Sequence, residues 1–220
     1  YNPRFIESGR EDILRTYDYL EHMELSGLLR KLHTARTIYC FGTGYAQRNA
    51  VQEFAKSMQV CGKFCHVIPA RNEFESTMSA MNQDDVVILV SFSGQTENMR
   101  EHVKMLALRK IPMIAITAIG VNFMSSYAEY SLHYQTTPTQ LSTQRKPYHS
   151  FVALSVLLDY IVRRYIDHVE TQQRGNSTKT AQVLESSEFS AETGALDVAD
   201  IRAQAGAAAI DRQHTDSSET

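Results

Sequence analysis

Six consecutive residues, Ser91-Phe92-Ser93-Gly94-Gln95-Thr96, gather three hydroxyls and a glycine in one short stretch. Serine and threonine hydroxyls can each donate to an anionic oxygen. Gly94 lets the backbone approach a ligand closely and adopt a positive φ. The stretch follows an apolar run and precedes a helical pattern. It therefore also offers free backbone N–H groups and the positive end of a helix dipole. Together these make a site for a phosphate dianion that needs no lysine or arginine. One hydroxyl at such a junction commonly serves only as a helix N-cap; three within six residues favour an anion. A second turn, Phe41-Gly42-Thr43-Gly44, is a weaker signal. It is incomplete as a dinucleotide fingerprint, with Gln47 where the third glycine would stand and Phe64-Cys65-His66 where an acidic residue would meet a ribose. The chain has no Gly-x-x-x-x-Gly-Lys-Ser/Thr loop, which argues against nucleoside triphosphate hydrolysis.

These turns must be carried by strands and helices. Thr37–Phe41 and Phe64–Ile68 are short β-branched and aromatic runs that end in Gly42 and Pro69. Asp85–Ser91 is continuously apolar at its centre, the mark of a strand covered on both faces. Pro112–Thr117 and Tyr130–Tyr134 read as the fourth and fifth strands. Helical patterns cover 45–60, 71–80, 95–110 and 147–165. Residues 1–35 are also helical, with Ile13, Leu14, Tyr17 and Leu20 on one face and a shift at Ser26-Gly27. Strand and helix in alternation predict an α/β fold: three layers, doubly wound about a mainly five-stranded parallel sheet, flavodoxin-like. In such sheets ligands bind beyond the carboxyl ends of the strands, where both turns fall.

The 220 residues are 43 % hydrophobic and carry a net charge of −3, which argues against a basic nucleic-acid surface on this chain. The division expected is a helical lead-in at 1–35, a binding domain at 36–168 and a polar tail at 169–220. Residues 171–220 hold four Lys/Arg against eight Asp/Glu and one aromatic, Phe189, so the tail is expected to be flexible, with a weak helix at 195–210. Cys40, Cys61 and Cys65, an odd number with no signal peptide, suit a reducing cytoplasm. Cys61-x-x-x-Cys65-His66 lacks the second pair that structural zinc uses, so no metal and no cofactor are expected. The apolar runs 86–90 and 111–119 are too short to span a membrane. The apolar content of 1–35 and 147–167 exceeds what one sheet face can cover, so a homodimer or homotetramer is expected. The chain begins at Tyr1 rather than Met, which suggests a piece of a longer protein.

Gly42-Thr43-Gly44, Glu73-Phe74 and Ser91-x-Ser93-Gly94-x-Thr96, in that order, resemble the sugar isomerase (SIS) domain family over about residues 35–167. The lead-in resembles the linker that joins a helix-turn-helix to this domain in RpiR-type bacterial transcriptional regulators. The resemblance implies that Ser91, Ser93 and Thr96 hold the phosphate of a phosphorylated sugar, helped by the backbone at Gly94 and Gln95, with Thr43 and Gly44 lying across the site. Many members have a serine just after the second glycine; this chain has Tyr45-Ala46. It also implies that the loop 139–150 completes the pocket, with Ser142, Thr143, Arg145 and His149 as candidates, often from a neighbouring subunit. The function implied is sugar-phosphate sensing, with DNA bound through an N-terminal domain absent from this chain. The alternative is an aldose–ketose isomerase, which needs a base to move a proton between adjacent carbons. Glu73, Glu75 and His149 are of the right type, but none is assigned a catalytic role.

Overall fold

Val86–Val90 (β3), Val-Val-Ile-Leu-Val with every residue buried, is the middle strand of the sheet. In the computed structural model it lies between Ile38–Gly42 (β1) and Met113–Ala118 (β4). Cys65–Val67 (β2) and Tyr130–Tyr134 (β5) form the two edges of a parallel sheet ordered β2-β1-β3-β4-β5. The structure describes residues 3–140 and 142–175. Two compact units are distinguished, Tyr1–Val169 and Glu170–Thr220. All the strands belong to the first; the described residues of the second, 170–175, are helical. The flexible tail and the helix expected at 195–210 lie outside the described residues.

Side chains alternate across the sheet, as strand geometry requires. Ile38, Cys40, Val86, Ile88, Val90, Ile114, Ile116 and Leu132 face one core. Covering it are Ser26–Thr34 (α2), Tyr45–Val60 (α3) and a last helix, α7 (152–169), together with Leu20 of Arg4–Glu21 (α1). Tyr39, Phe41, Val87, Leu89, Met113 and Ala115 face the other core. Arg71–Ala80 (α4), Arg100–Leu108 (α5) and Phe123–Tyr127 (α6) cover it with Phe74, Val103, Leu106 and Met124. This is the three-layer doubly wound arrangement the alternating pattern predicts.

Three local differences bear on the site. The helix expected from Gln95 starts late: a 3-10 turn spans Glu97–Met99 and α5 begins at Arg100, because Gly94 (φ 63) and Thr96 (ψ 107) hold the chain out of helical conformation. The helix expected from Pro147 begins at 152, because Tyr148 is bridged to Thr139 by two backbone hydrogen bonds of 2.9 Å. In α1 the buried face holds Asp12 and Thr16 beside Leu20, while Leu14, expected inward, is exposed. The Asp12 carboxylate accepts from Thr137 N and Thr137 Oγ1 at 2.8 and 2.7 Å, and Thr16 Oγ1 accepts from Gln135 N at 2.9 Å. Polar partners across the interface thus override the apolar periodicity.

The amino ends of β1 and β3 are clamped by a fully buried carboxylate. Asp85 accepts from Arg36 Nε and Nη2 at 2.9 and 2.7 Å and from Asn82 N at 2.8 Å. Burial alone pushes this carboxyl up, but the Arg36 guanidinium and the Asn82 amide outweigh it and hold it below its ordinary value. A depressed folded value stabilises the fold fully above the unfolded value, about 3.9, and that stabilisation fades as pH falls through the folded value. Asp85→Asn is therefore expected to lower the melting temperature at pH 7, with the two melting curves converging in acid. A constant gap from pH 7 to pH 2 would refute the clamp as an acid-sensitive element.

Candidate functional site

The sheet order reverses direction between β1 and β3. The chain leaves β1 for β2 on one side and leaves β3 for β4 on the other, and this opens a crevice beyond the carboxyl ends of the two strands. Both hydroxyl-bearing turns lie at that crevice. They are joined directly, because Thr43 N donates to Val90 O at 2.9 Å. Gly44 then heads α3 in extended conformation, and no side chain caps the helix, so its first N–H groups face outward without a side-chain acceptor. Tyr45 is exposed and Ala46 half-buried, so neither places a hydroxyl on the inner side of this turn.

The second turn is a folded ring. Ser91, buried, accepts from Gly94 N at 3.2 Å and pairs with Thr96 Oγ1 at 3.1 Å. Ser93, exposed, accepts from Gln95 N at 3.2 Å. Each serine oxygen thus uses a lone pair on the backbone and keeps its hydrogen for donation. One hydrogen is spent between Ser91 and Thr96, which leaves two of the three hydroxyl hydrogens without an acceptor among these bonds. The Gln95 side chain is held away by Arg100, whose Nη2 donates to Gln95 Oε1 at 3.3 Å. These bonds stay within the turn, and no side chain caps the 3-10 turn or α5.

Behind the ring stands α6, which the sequence pattern did not reveal. Gly94 O accepts from Met124 N at 3.1 Å. Asn122, almost fully buried, caps α6 by accepting from Ser125 N at 3.0 Å and donates to Thr117 Oγ1 at 3.0 Å and Gly120 O at 3.1 Å. Thr117 Oγ1 in turn lies 2.9 Å from His133 Nδ1, and burial holds that imidazole below its ordinary value against a weaker opposing pull from the Ala118 carbonyl. The signal available in the sequence was Asn122 followed by Ser125-Ser126, an N-cap pattern in a segment too short to show periodicity.

Of the loop candidates, His149 alone reaches the second turn. Its ring lies 4.6 Å from that of Phe92, between the two serines, and its buried Nδ1 makes no hydrogen bond among the described residues. Ser142, Thr143 and Arg145 are exposed in the preceding loop. Glu73 and Glu75 are exposed on α4 on either side of buried Phe74. Toward β2 the crevice widens into a cleft of about 340 Å³, lined by Thr43, Arg48, Arg71, Asn98 and neighbouring apolar residues. Among the seven residues singled out from the sequence, Thr43 lines this cleft; Gly44, Ser91, Ser93, Gly94, Gln95 and Thr96 do not. Among the described residues no group of three metal-ligating side chains comes together, and no helix is long and apolar enough to cross a membrane.

A family model described as SIS domain matches residues 31–163. The chain is similar to the HTH-type transcriptional regulator GlvR of Bacillus subtilis (strain 168), with 23 % identity over 166 residues, 76 % of this chain and 65 % of GlvR. It thus spans just under two thirds of that relative's length. Its fold is similar to the sugar isomerase domain of an RpiR transcription factor from Sphaerobacter thermophilus (TM-score 0.63, 15 % identity, 76 % of this chain, 92 % of that one). It is also similar to the Vibrio vulnificus NanR protein, solved in complex with ManNAc-6P (TM-score 0.62, 22 % identity, 80 % of this chain, 66 % of that one).

Proposed function

This chain belongs to the SIS domain family, and from that premise we propose that it is the sugar-phosphate-sensing effector part of an RpiR-type transcriptional regulator. The observation that carries the reading is the hydroxyl ring of the second turn. It sits at the topological switch point, with two donor hydrogens and no carboxylate of its own. Thr43 and Gly44 cross the site from the first turn, and His149 closes it beside Phe92. The likeness to GlvR and to NanR, the latter solved with a phosphorylated amino sugar, supports a regulator and a sugar-phosphate ligand. DNA binding in this reading belongs to a helix-turn-helix segment outside these 220 residues. The working form is a cytoplasmic homodimer or homotetramer. A ligand signals only by binding two arrangements of that assembly with different affinity.

The test is calorimetry against hexose, amino-sugar and pentose phosphates. Hydrogen bonds to charged groups contribute about 1.5–3 kcal/mol each, so Ser91→Ala and Ser93→Ala should each weaken the best ligand by roughly ten- to a hundred-fold. Unchanged affinity in both variants would refute the site. Conversion of the bound sugar at about 1–1,000 per second would favour the isomerase reading instead.

A further inference from the structure

The cleft beside the hydroxyl ring carries charge that the ring does not need. Arg48 lies one turn into α3, and Arg71 is the first residue of α4; both line the cleft with Thr43 and Asn98. Among the described residues no carboxylate lines it. Among the described residues neither guanidinium makes a hydrogen bond or an ion pair from its side chain. Other arginines around the sheet are engaged: Arg36 with Asp85, Arg100 with Glu97, and Arg109 with the Met78 and Met81 carbonyls.

Arg71 is a cation in the first turn of α4, where it opposes the helix dipole and Glu73 in the same turn offsets it. Two guanidiniums without a side-chain acceptor among the described residues therefore line one concavity beside the hydroxyl ring. Guanidinium forks match carboxylate and phosphate oxygens bidentately. The volume, about 340 Å³, falls within the usual range for small-ligand pockets, about 300–1,000 Å³. Thr43 belongs to both parts: its backbone is bonded to the end of β3 beside Ser91, and its residue lines the cleft.

We propose that Arg48 and Arg71 form a second anion subsite, so that the ligand is a phosphosugar bearing a further anionic group, either a carboxylate or a second phosphate. The proposal rests on the hydroxyl ring holding the first phosphate, with the sugar chain crossing Thr43 into the cleft.

Calorimetry on the full chain with glucose 6-phosphate, 6-phosphogluconate and fructose 1,6-bisphosphate tests it. At least one doubly anionic probe should bind about ten-fold or more tighter than the monophosphate, and which one does so identifies the group. Arg48→Gln and Arg71→Gln, with melting temperatures as the folding control, should erase that advantage and change glucose 6-phosphate binding less than about two-fold. Three results overturn the proposal: glucose 6-phosphate bound as tightly as both probes that carry a second anionic group, arginine variants that weaken all three probes equally, or no binding by either two-group probe at about millimolar concentration. Ser91→Ala separates the two readings. It should weaken every probe, and if it weakens none while the arginine variants retain their effect, the ring fails as the phosphate site and the cleft stands alone.

Discussion

Gly94→Ala is expected to abolish ligand binding, with a loss greater than about a hundred-fold, and to lower stability by roughly 1–3 kcal/mol. Gly94 has φ 63, a left-handed conformation that costs a residue with a Cβ about 1–2 kcal/mol. Strain is the smaller part of the effect. A Cβ added at this position would come 2.1 Å from Asn122 Oδ1 and 2.9 Å from Asn122 Cβ. Asn122 cannot swing aside, because it caps α6 and is bonded to Thr117 and Gly120. The turn must move instead. Moving it breaks the Gly94 N bond to Ser91 Oγ and the Met124 N bond to Gly94 O, the two contacts that set the ring. Gly62→Ala provides the control: its φ is 76, but an added Cβ there meets open space. That variant should show the backbone cost in thermal melting and keep full affinity. Equal affinities for the Gly94 and Gly62 variants would mean that the geometry of the second turn is not what grips the ligand.

The sheet and the second turn were legible because each is written in adjacent residues. A strand buried on both faces needs a continuous apolar run, and Val86–Val90 supplies one that no solvated helix would tolerate. Three hydroxyls around Gly94 crowd a strand end in a way that capping alone does not require. The rest of the site was hidden by distance along the chain. Asp12 and Thr16 look solvated in a helix of mixed pattern; their partners are Thr137 and Gln135, 125 and 119 residues away. His149 stood out only as one residue among several in a loop, and its place beside Phe92 depends on the Thr139–Tyr148 bridge. Arg48 and Arg71 carry no signal singly, since an arginine at a helix start is ordinarily just an exposed side chain. They acquire meaning when the segments after β1 and β2 fold to line one cleft. α6 is too short for any periodicity to show.

The same long-range bonds suggest how a ligand at the ring would be felt at α1, the element that leads in from any upstream segment. Asp12 of α1 holds the backbone N–H and hydroxyl of Thr137. Two residues on, Thr139 is bridged to Tyr148, and the next residue, His149, packs on Phe92 within the second turn. Asp12→Ala strands a backbone N–H and a hydroxyl that had a charged acceptor, a loss of about 1.5–3 kcal/mol for each bond. The melting temperature should fall accordingly, and amide exchange at Thr137 and Tyr148 should quicken relative to the strands. Asp12→Asn, which keeps an accepting oxygen, should recover part of the loss. Spatial sequence alone does not make a coupling route, so the decisive measurement is a double-mutant cycle for ligand affinity with Phe92→Ala. Independent sites add to within about 0.3–0.5 kcal/mol; a larger interaction energy between residues 12 and 92 is expected. Additivity would mean that α1 and the ring share a fold without sharing a signal.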